Sequence, residues 1–159
     1  MDDPGVAAGD EASVRAADRL ALRELVEAYA RGADRREAEH VASLFGETGV
    51  LSRADAPGEA GWVRNGAAEI EGPMRRLSRY EVTTHFVGQQ SVWFDAADTD
   101  RATGETYCLA HHLHVVDDVR VNDVMSIRYQ DEYVREAGRW RFATRTLVVD
   151  WTERRPTGR

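Results

Sequence analysis

His85 stands near the start of Thr83-Thr84-His85-Phe86-Val87-Gly88-Gln89-Gln90-Ser91-Val92-Trp93-Phe94, a run rich in Thr, Val and aromatics that predicts a β-strand. Four other places hold residues able to do chemistry: Tyr29, Asp34, the cluster His111-His112-Leu113-His114, and Arg145. These are the residue types of general acid–base catalysis. Imidazole and carboxylate take or hold a proton, and phenol or guanidinium meets developing negative charge. Each also has a plain structural reading. His85 can be a satisfied strand histidine, Asp34 the cap of a following helix, Tyr29 a core residue and Arg145 an ion-pair partner.

The histidine cluster raises a metal question. His112 and His114 share a strand face, and Asp117 and Asp118 follow closely. Two imidazoles do not make a site without further converging ligands, so no metal is expected.

The elements that must position these groups follow from periodicity. Residues 1–12 read as a flexible acidic arm and 152–159 as a solvated tail, flanking a single domain over 13–151. From about Ser13, Val14, Ala17, Ala21, Leu22, Leu25, Ala28 and Tyr29 recur at helical spacing, and Gly32 is expected to end that helix. A shorter helix uses Ala38, Val41, Leu44 and Phe45. A third, bearing Ala68, Ile70, Met74 and Leu77, follows a short strand at Val50-Leu51-Ser52 and a loop punctuated by Pro57-Gly58. Pro73 should kink the third helix or delay its start.

After Tyr80 the period changes to two. Strands are expected near Val82–Phe94, Thr106–Val116, Val124–Arg135 and Trp140–Trp151, with a tight turn at Glu136-Ala137-Gly138. Strict alternation places His85, Val87, Gln89, Ser91 and Trp93 on one face and Phe86, Gly88, Gln90, Val92 and Phe94 on the other. The fold class is therefore α+β, a curved antiparallel sheet with its helices on one side.

Composition excludes several functions. The chain of 159 residues has net charge −7 and no concentrated basic stripe, which argues against nucleic acid and anionic membranes as partners. It contains no lysine, which removes Schiff-base and P-loop chemistry. The single Cys108, the lack of a membrane-length apolar run and the lack of a signal-peptide pattern point to a cytoplasmic location.

Three segments carry a family resemblance. Tyr29 through Phe45 resembles the opening of the SnoaL-like family of the nuclear-transport-factor-2 superfamily. Thr83-Thr-His85-Phe-Val-Gly-Gln resembles its central strand, and Tyr129 through Arg145 its closing hairpin. The resemblance implies a cone-shaped α+β barrel whose three N-terminal helices close a deep pocket. In arrangement it is most similar to lindane dehydrochlorinase and scytalone dehydratase. It implies an Asp34–His85 pair as the base, Arg145 and Tyr29 in support, a second strand histidine at His111 or His112, and no cofactor. Leu51 stands where the dehydrochlorinase has an indole, so a chlorinated substrate is not implied. Phe45, Leu51, Trp62, Met74, Phe86 and Trp93 are candidates for an apolar pocket wall.

In such a pair Asp34 accepts the Nδ1–H of His85 and fixes its tautomer, leaving Nε2 to take a proton from a carbon acid. The expected activity is a dehydratase-type elimination on a small, largely apolar cyclic metabolite. The alternatives are isomerisation or aldol-type cyclisation with the same base, epoxide hydrolysis using Arg145 and Asp131, or a non-catalytic ligand-binding module. Apolar side chains on the outer sheet face predict a homodimer.

Overall fold

The computed structural model describes residues 4–55 and 61–158, with side chains described from residue 12 onward. Its order is α1 (Pro4–Arg35), α2 (Ala38–Ser43), β1 (Phe45–Ala54), β2 (Val63–Asn65), α3 (Gly66–Arg76), β3 (Val82–Phe94), β4 (Arg101–Val116), β5 (Val119–Glu136) and β6 (Arg139–Pro156). Among the described residues no helix is long and apolar enough to cross a membrane.

The first helix buries Leu22, Leu25, Val26, Tyr29, Ala30 and Ala33, the three-and-four spacing that turns one stripe toward a sheet. It is longer at both ends than the sequence suggests. The segment expected to be an arm is helical from Pro4. Gly32 does not stop the helix; it is there for closeness, because a Cβ on Gly32 would lie 2.7 Å from Val41 of α2. The stop comes at Arg36, whose φ of 64° is the left-handed conformation usual after a helix. Glu37 N–H then donates to the Gly32 carbonyl at 2.9 Å and Arg36 N–H to that of Ala33 at 3.3 Å. Asp34 consequently belongs to the last turn of α1. Nor does it cap α2, whose N-cap is Glu37. Pro73 lies inside α3, whose assigned span is continuous. Pro57-Gly58 falls outside the described residues.

The six strands form one curved sheet in the order β2-β1-β6-β5-β4-β3. It is open, with β2 and β3 as its edges, and mixed rather than wholly antiparallel. The run β3-β4-β5-β6 is an antiparallel meander, and β1 docks on the free side of β6 running the same way. The expected C-terminal tail is largely strand, since β6 continues to Pro156 and pairs with Val121–Met125. Two hairpins close on two-residue turns with positive φ at both positions, Asp117-Asp118 and Ala137-Gly138. The acidic pair after the histidines is thus turn chemistry. Near the middle of α1, Arg135 donates twice to the buried Asp18 (both 2.8 Å) and Trp140 Nε1–H donates to it at 2.9 Å, tying the helix to the β5–β6 hairpin.

Strand β3 has one irregularity that decides which residues face inward. Its pairing with β4 shifts register between Val87 and Gln90. A bulge inserts one residue and reverses the alternation beyond it. Thr83, His85 and Val87 face the helices before the bulge; Gln90, Val92 and Phe94 do so after it. Trp93, expected in the pocket, is 58% exposed on the outer face.

The free edge of β3 is occupied by side chains of α1. Arg19 donates to the Val92 carbonyl (3.1 Å) and Arg23 to the Gly88 carbonyl (2.7 Å), while the His85 N–H donates to the Asp34 carboxylate (2.9 Å).

Candidate active site

Between the helices and the concave face lies a cavity of about 160 Å3. Tyr29 and Ala33 of α1, Trp62, Met74 of α3, Tyr80, His85 of β3, His112 of β4 and Met125, Ile127 and Leu147 of β5 and β6 line it.

Asp34 and His85 meet at its wall. His85 Nδ1 lies 2.7 Å from Asp34 Oδ1, while Oδ2 accepts the His85 backbone N–H. Both carboxylate oxygens are therefore held by one residue, which fixes the carboxylate plane and the ring. Burial pushes the Asp34 carboxyl upward, and the hydrogen bonds from His85 overcome this, holding it below the usual carboxylate range. An ionised Asp34 requires Nδ1 to carry the proton. Nε2 then presents its lone pair, and no hydrogen bond from a described residue is found on it.

Arg36 braces the pair from behind. Its Nη1 donates to the carbonyls of Ala33 and Asp34 (both 3.0 Å) and to the Thr83 hydroxyl (2.6 Å), joining the end of α1 to β3. Sequence reasoning missed this residue, because nothing in the pattern marks an arginine as the left-handed stop of a helix.

The choice between the adjacent histidines is decided by strand parity. His112 is buried and lines the cavity, its ring centroid 5.8 Å from that of His85. His111 turns outward and accepts a hydrogen bond from Asn122 Nδ2 at 3.0 Å, so it is not a wall residue. His114 donates to Asp123, 2.9 Å away. Among the described residues no three His, Cys, Asp or Glu side chains gather in a metal-binding arrangement. His112 Nδ1 lies 3.4 Å from the Asp123 carbonyl, an acceptor only, so the proton belongs on Nδ1.

Burial, helped by the neighbouring His85, depresses the His112 pKa to about 4. Unfolded, the ring binds a proton below about pH 6.5; folded, it binds one only near pH 4. Between those values the unfolded chain holds more protons, so stability falls as the pH falls through that window. Urea midpoints at neutral pH and near pH 5 should therefore diverge more for the wild type than for His112→Asn. An equal divergence in both proteins would assign the acid sensitivity to other groups.

Four further candidates have mixed outcomes. Tyr29 lines the cavity, and burial, partly offset by Arg145, raises its phenol to about 12, so it stays protonated and can donate. Trp62 and Met74 also lie in the wall. Arg145 does not reach it. Its side chain is 0% exposed, donates to both oxygens of Asp131 (2.8 and 2.7 Å), and sits 4.0–4.4 Å from the ring centroids of Tyr29, Tyr129 and Phe142.

Phe45 and Leu51 are core residues rather than wall. Phe45 packs on Tyr29 and Phe142, and Leu51 is sealed beneath the sheet's concave layer. Phe86 is on the outer face, 69% exposed. Among the wall residues that the sequence did not announce, the polar ones are Arg53, Arg76, Arg79 and Tyr80. The last three lie where α3 runs through a 3-10 turn into β3.

The sequence from 14 to 146 matches the SnoaL-like domain family. The chain belongs to that family. No curated protein matches it. Among solved structures, this SnoaL-like chain is similar in fold to a putative scytalone dehydratase from Novosphingobium aromaticivorans (TM-score 0.76, 20% identity, covering 89% of this chain and 90% of that one). It is also similar to the hexachlorocyclohexane dehydrochlorinase LinA-type3 from Novosphingobium barchaimii (TM-score 0.72, 18% identity, 90% and 92% covered). A third is a protein of unknown function from Mycobacterium tuberculosis (TM-score 0.73, 21% identity, 87% and 75% covered). Identities this low carry the fold and nothing finer. The SnoaL-like domain accounts for the curved sheet with helices on one face.

Proposed function

We propose that the protein is a cofactor-independent lyase that removes a proton from a small, largely apolar cyclic metabolite and expels a leaving group. The observation that carries this is the 2.7 Å contact between Asp34 and His85 Nδ1 in a ring that lines the cavity. His85 Nε2 takes the proton from carbon, and Asp34 stabilises the imidazolium that forms. Electrons from the broken C–H bond form the new double bond, and the leaving group departs with its pair. Tyr29, protonated in the wall, donates to the leaving oxygen or to charge building on a carbonyl. Tyr80 is a second donor: its oxygen accepts from Arg79 at 2.6 Å, leaving its own O–H free. Elimination is also the reaction named for two structural relatives, the putative dehydratase and the dehydrochlorinase. Epoxide hydrolysis through Arg145 and Asp131 is disfavoured, because neither side chain is exposed.

Small cyclic ketones bearing a β-hydroxyl, incubated with the enzyme in D2O, test the reading. Deuterium uptake at carbon, or loss of water, should appear with the wild type and vanish with His85→Ala. A panel on which the two proteins behave alike would reject the assignment.

A second copy of the chain is proposed on the outer sheet face. Phe86 faces Leu109, Leu109 faces Ser126 and Ser126 faces Trp151 across three strand pairs. The three apolar members are 69%, 40% and 50% exposed. Beside them Arg128 and Asp150 are paired at 2.6 Å, so the patch is apolar with matched charges, as a twofold contact with itself requires. Light scattering should give twice the 17.8 kDa chain mass, and Phe86→Glu should return it to one. A monomeric wild type at micromolar concentration would refute the pairing.

A further inference from the structure

The cavity wall has a charge opposite to that of the whole chain. The protein carries 28 Asp and Glu against 21 Arg. Yet the described residues lining the cavity include three arginines, Arg53, Arg76 and Arg79, while the one carboxylate at its wall, Asp34, is not among the lining residues and is engaged by His85. Arg53 is matched by Asp55 at 2.6 Å. Arg79 instead lies over the Tyr80 ring, 4.7 Å from its centroid, and donates to the Tyr80 hydroxyl. Neither Arg76 nor Arg79 meets a carboxylate among the described residues.

The rest of the wall is mostly apolar, and His112 is held neutral by burial. A net charge of −7 repels anions at long range. Two uncompensated guanidiniums beside an apolar cavity therefore form a local reversal of sign suited to an anionic ligand.

We infer that the substrate carries a carboxylate, seated on Arg76 and Arg79, with its apolar body against Trp62, Met125 and Leu147 and its acidic C–H at His85. This rests on the proton-abstraction reading and adds the substrate class to it. Guanidinium matches a carboxylate with two parallel hydrogen bonds, a fit that an ammonium lacks. An anionic handle remote from the reacting carbon also supplies binding energy that aligns that carbon with Nε2. The cavity holds the volume of about five waters, enough for one small ring.

Benzoate and benzamide are near-isosteric single-ring probes that differ in charge. Calorimetric titration of the full chain should show benzoate binding roughly tenfold tighter or more, the usual worth of a hydrogen bond to a charged group. Added salt should shrink that advantage. Arg76→Gln with Arg79→Gln should abolish the preference, lowering benzoate affinity far more than benzamide affinity. Equal affinity for the two probes, no binding of benzoate, or a preference that survives in the double variant overturns the inference. Binding is read without turnover. The preference should persist in His85→Ala, so failure of the proton-abstraction reading and failure of this one give different results.

Discussion

Asp34→Asn should leave the fold intact and lower turnover per folded molecule by about 10² to 10⁴, the range general-base catalysis contributes. The geometry explains why a near-isosteric change does so much. Asp34 accepts two hydrogen bonds from His85, one from Nδ1 and one from the backbone amide. A carboxamide can still accept the amide with its oxygen, but its NH2 then faces Nδ1. The ring must turn its lone pair to that side, and Nε2, carrying the proton, cannot act as the base. His85→Ala removes the base outright. In the proposed mechanism the two residues act as one unit, so the double variant should be little worse than the more damaging single one. The deuterium-uptake assay reads all three. A structural role for Asp34 would show instead as lost stability with unchanged turnover.

The second large effect concerns stability. Arg145→Met should destabilise the protein by about 3–5 kcal/mol, the usual consequence of removing one partner from a buried ion pair. Asp131 would keep the Tyr133 hydroxyl at 2.9 Å but lose both guanidinium bonds in a site with no access to water. Adding Asp131→Leu should recover most of the loss, because no charge is then left stranded. Urea denaturation of the two variants checks both halves. Were Arg145→Met to unfold at the wild-type urea midpoint yet lose activity, the guanidinium would be acting on substrate, contrary to its burial.

The parts of this site legible in the sequence were those that local pattern dictates. A Thr- and Val-rich run around His85 could only be strand, and the apolar stripe of α1 could only present Tyr29 toward that sheet; Asp34, read as lying beyond a helix ended at Gly32, belongs to the last turn of α1. Two bulges limited the rest. Alternation carried straight through β3 puts Trp93 beside His85, whereas the shift after Val87 puts Val92 and Phe94 there. The lone Gly88 in that strand was the available signal, since a glycine inside a strand often marks such a shift. In the last hairpin, counting back from the Ala137-Gly138 turn sets Asp131 opposite Thr144. The shift between Glu132 and Tyr133 sets it opposite Arg145 instead, and makes the buried pair. Phe45 and Leu51 show a different limit. An apolar residue on the inner face can be core or cavity wall, and only three-dimensional depth separates the two.

The α1 side chains along β3 bear on how the protein avoids sticking to itself. An exposed strand edge offers unpaired N–H and C=O groups to any other extended chain and invites aggregation. Here Arg19, Arg23 and Asp34 occupy three of those groups, so one helix does the work of a missing seventh strand. The carboxylate that orients His85 therefore also guards that edge. Truncating Asp34 to alanine would bare the His85 amide and mix a loss of catalysis with a gain of association. This is a second reason why the asparagine, which still accepts from that amide, is the cleaner substitution.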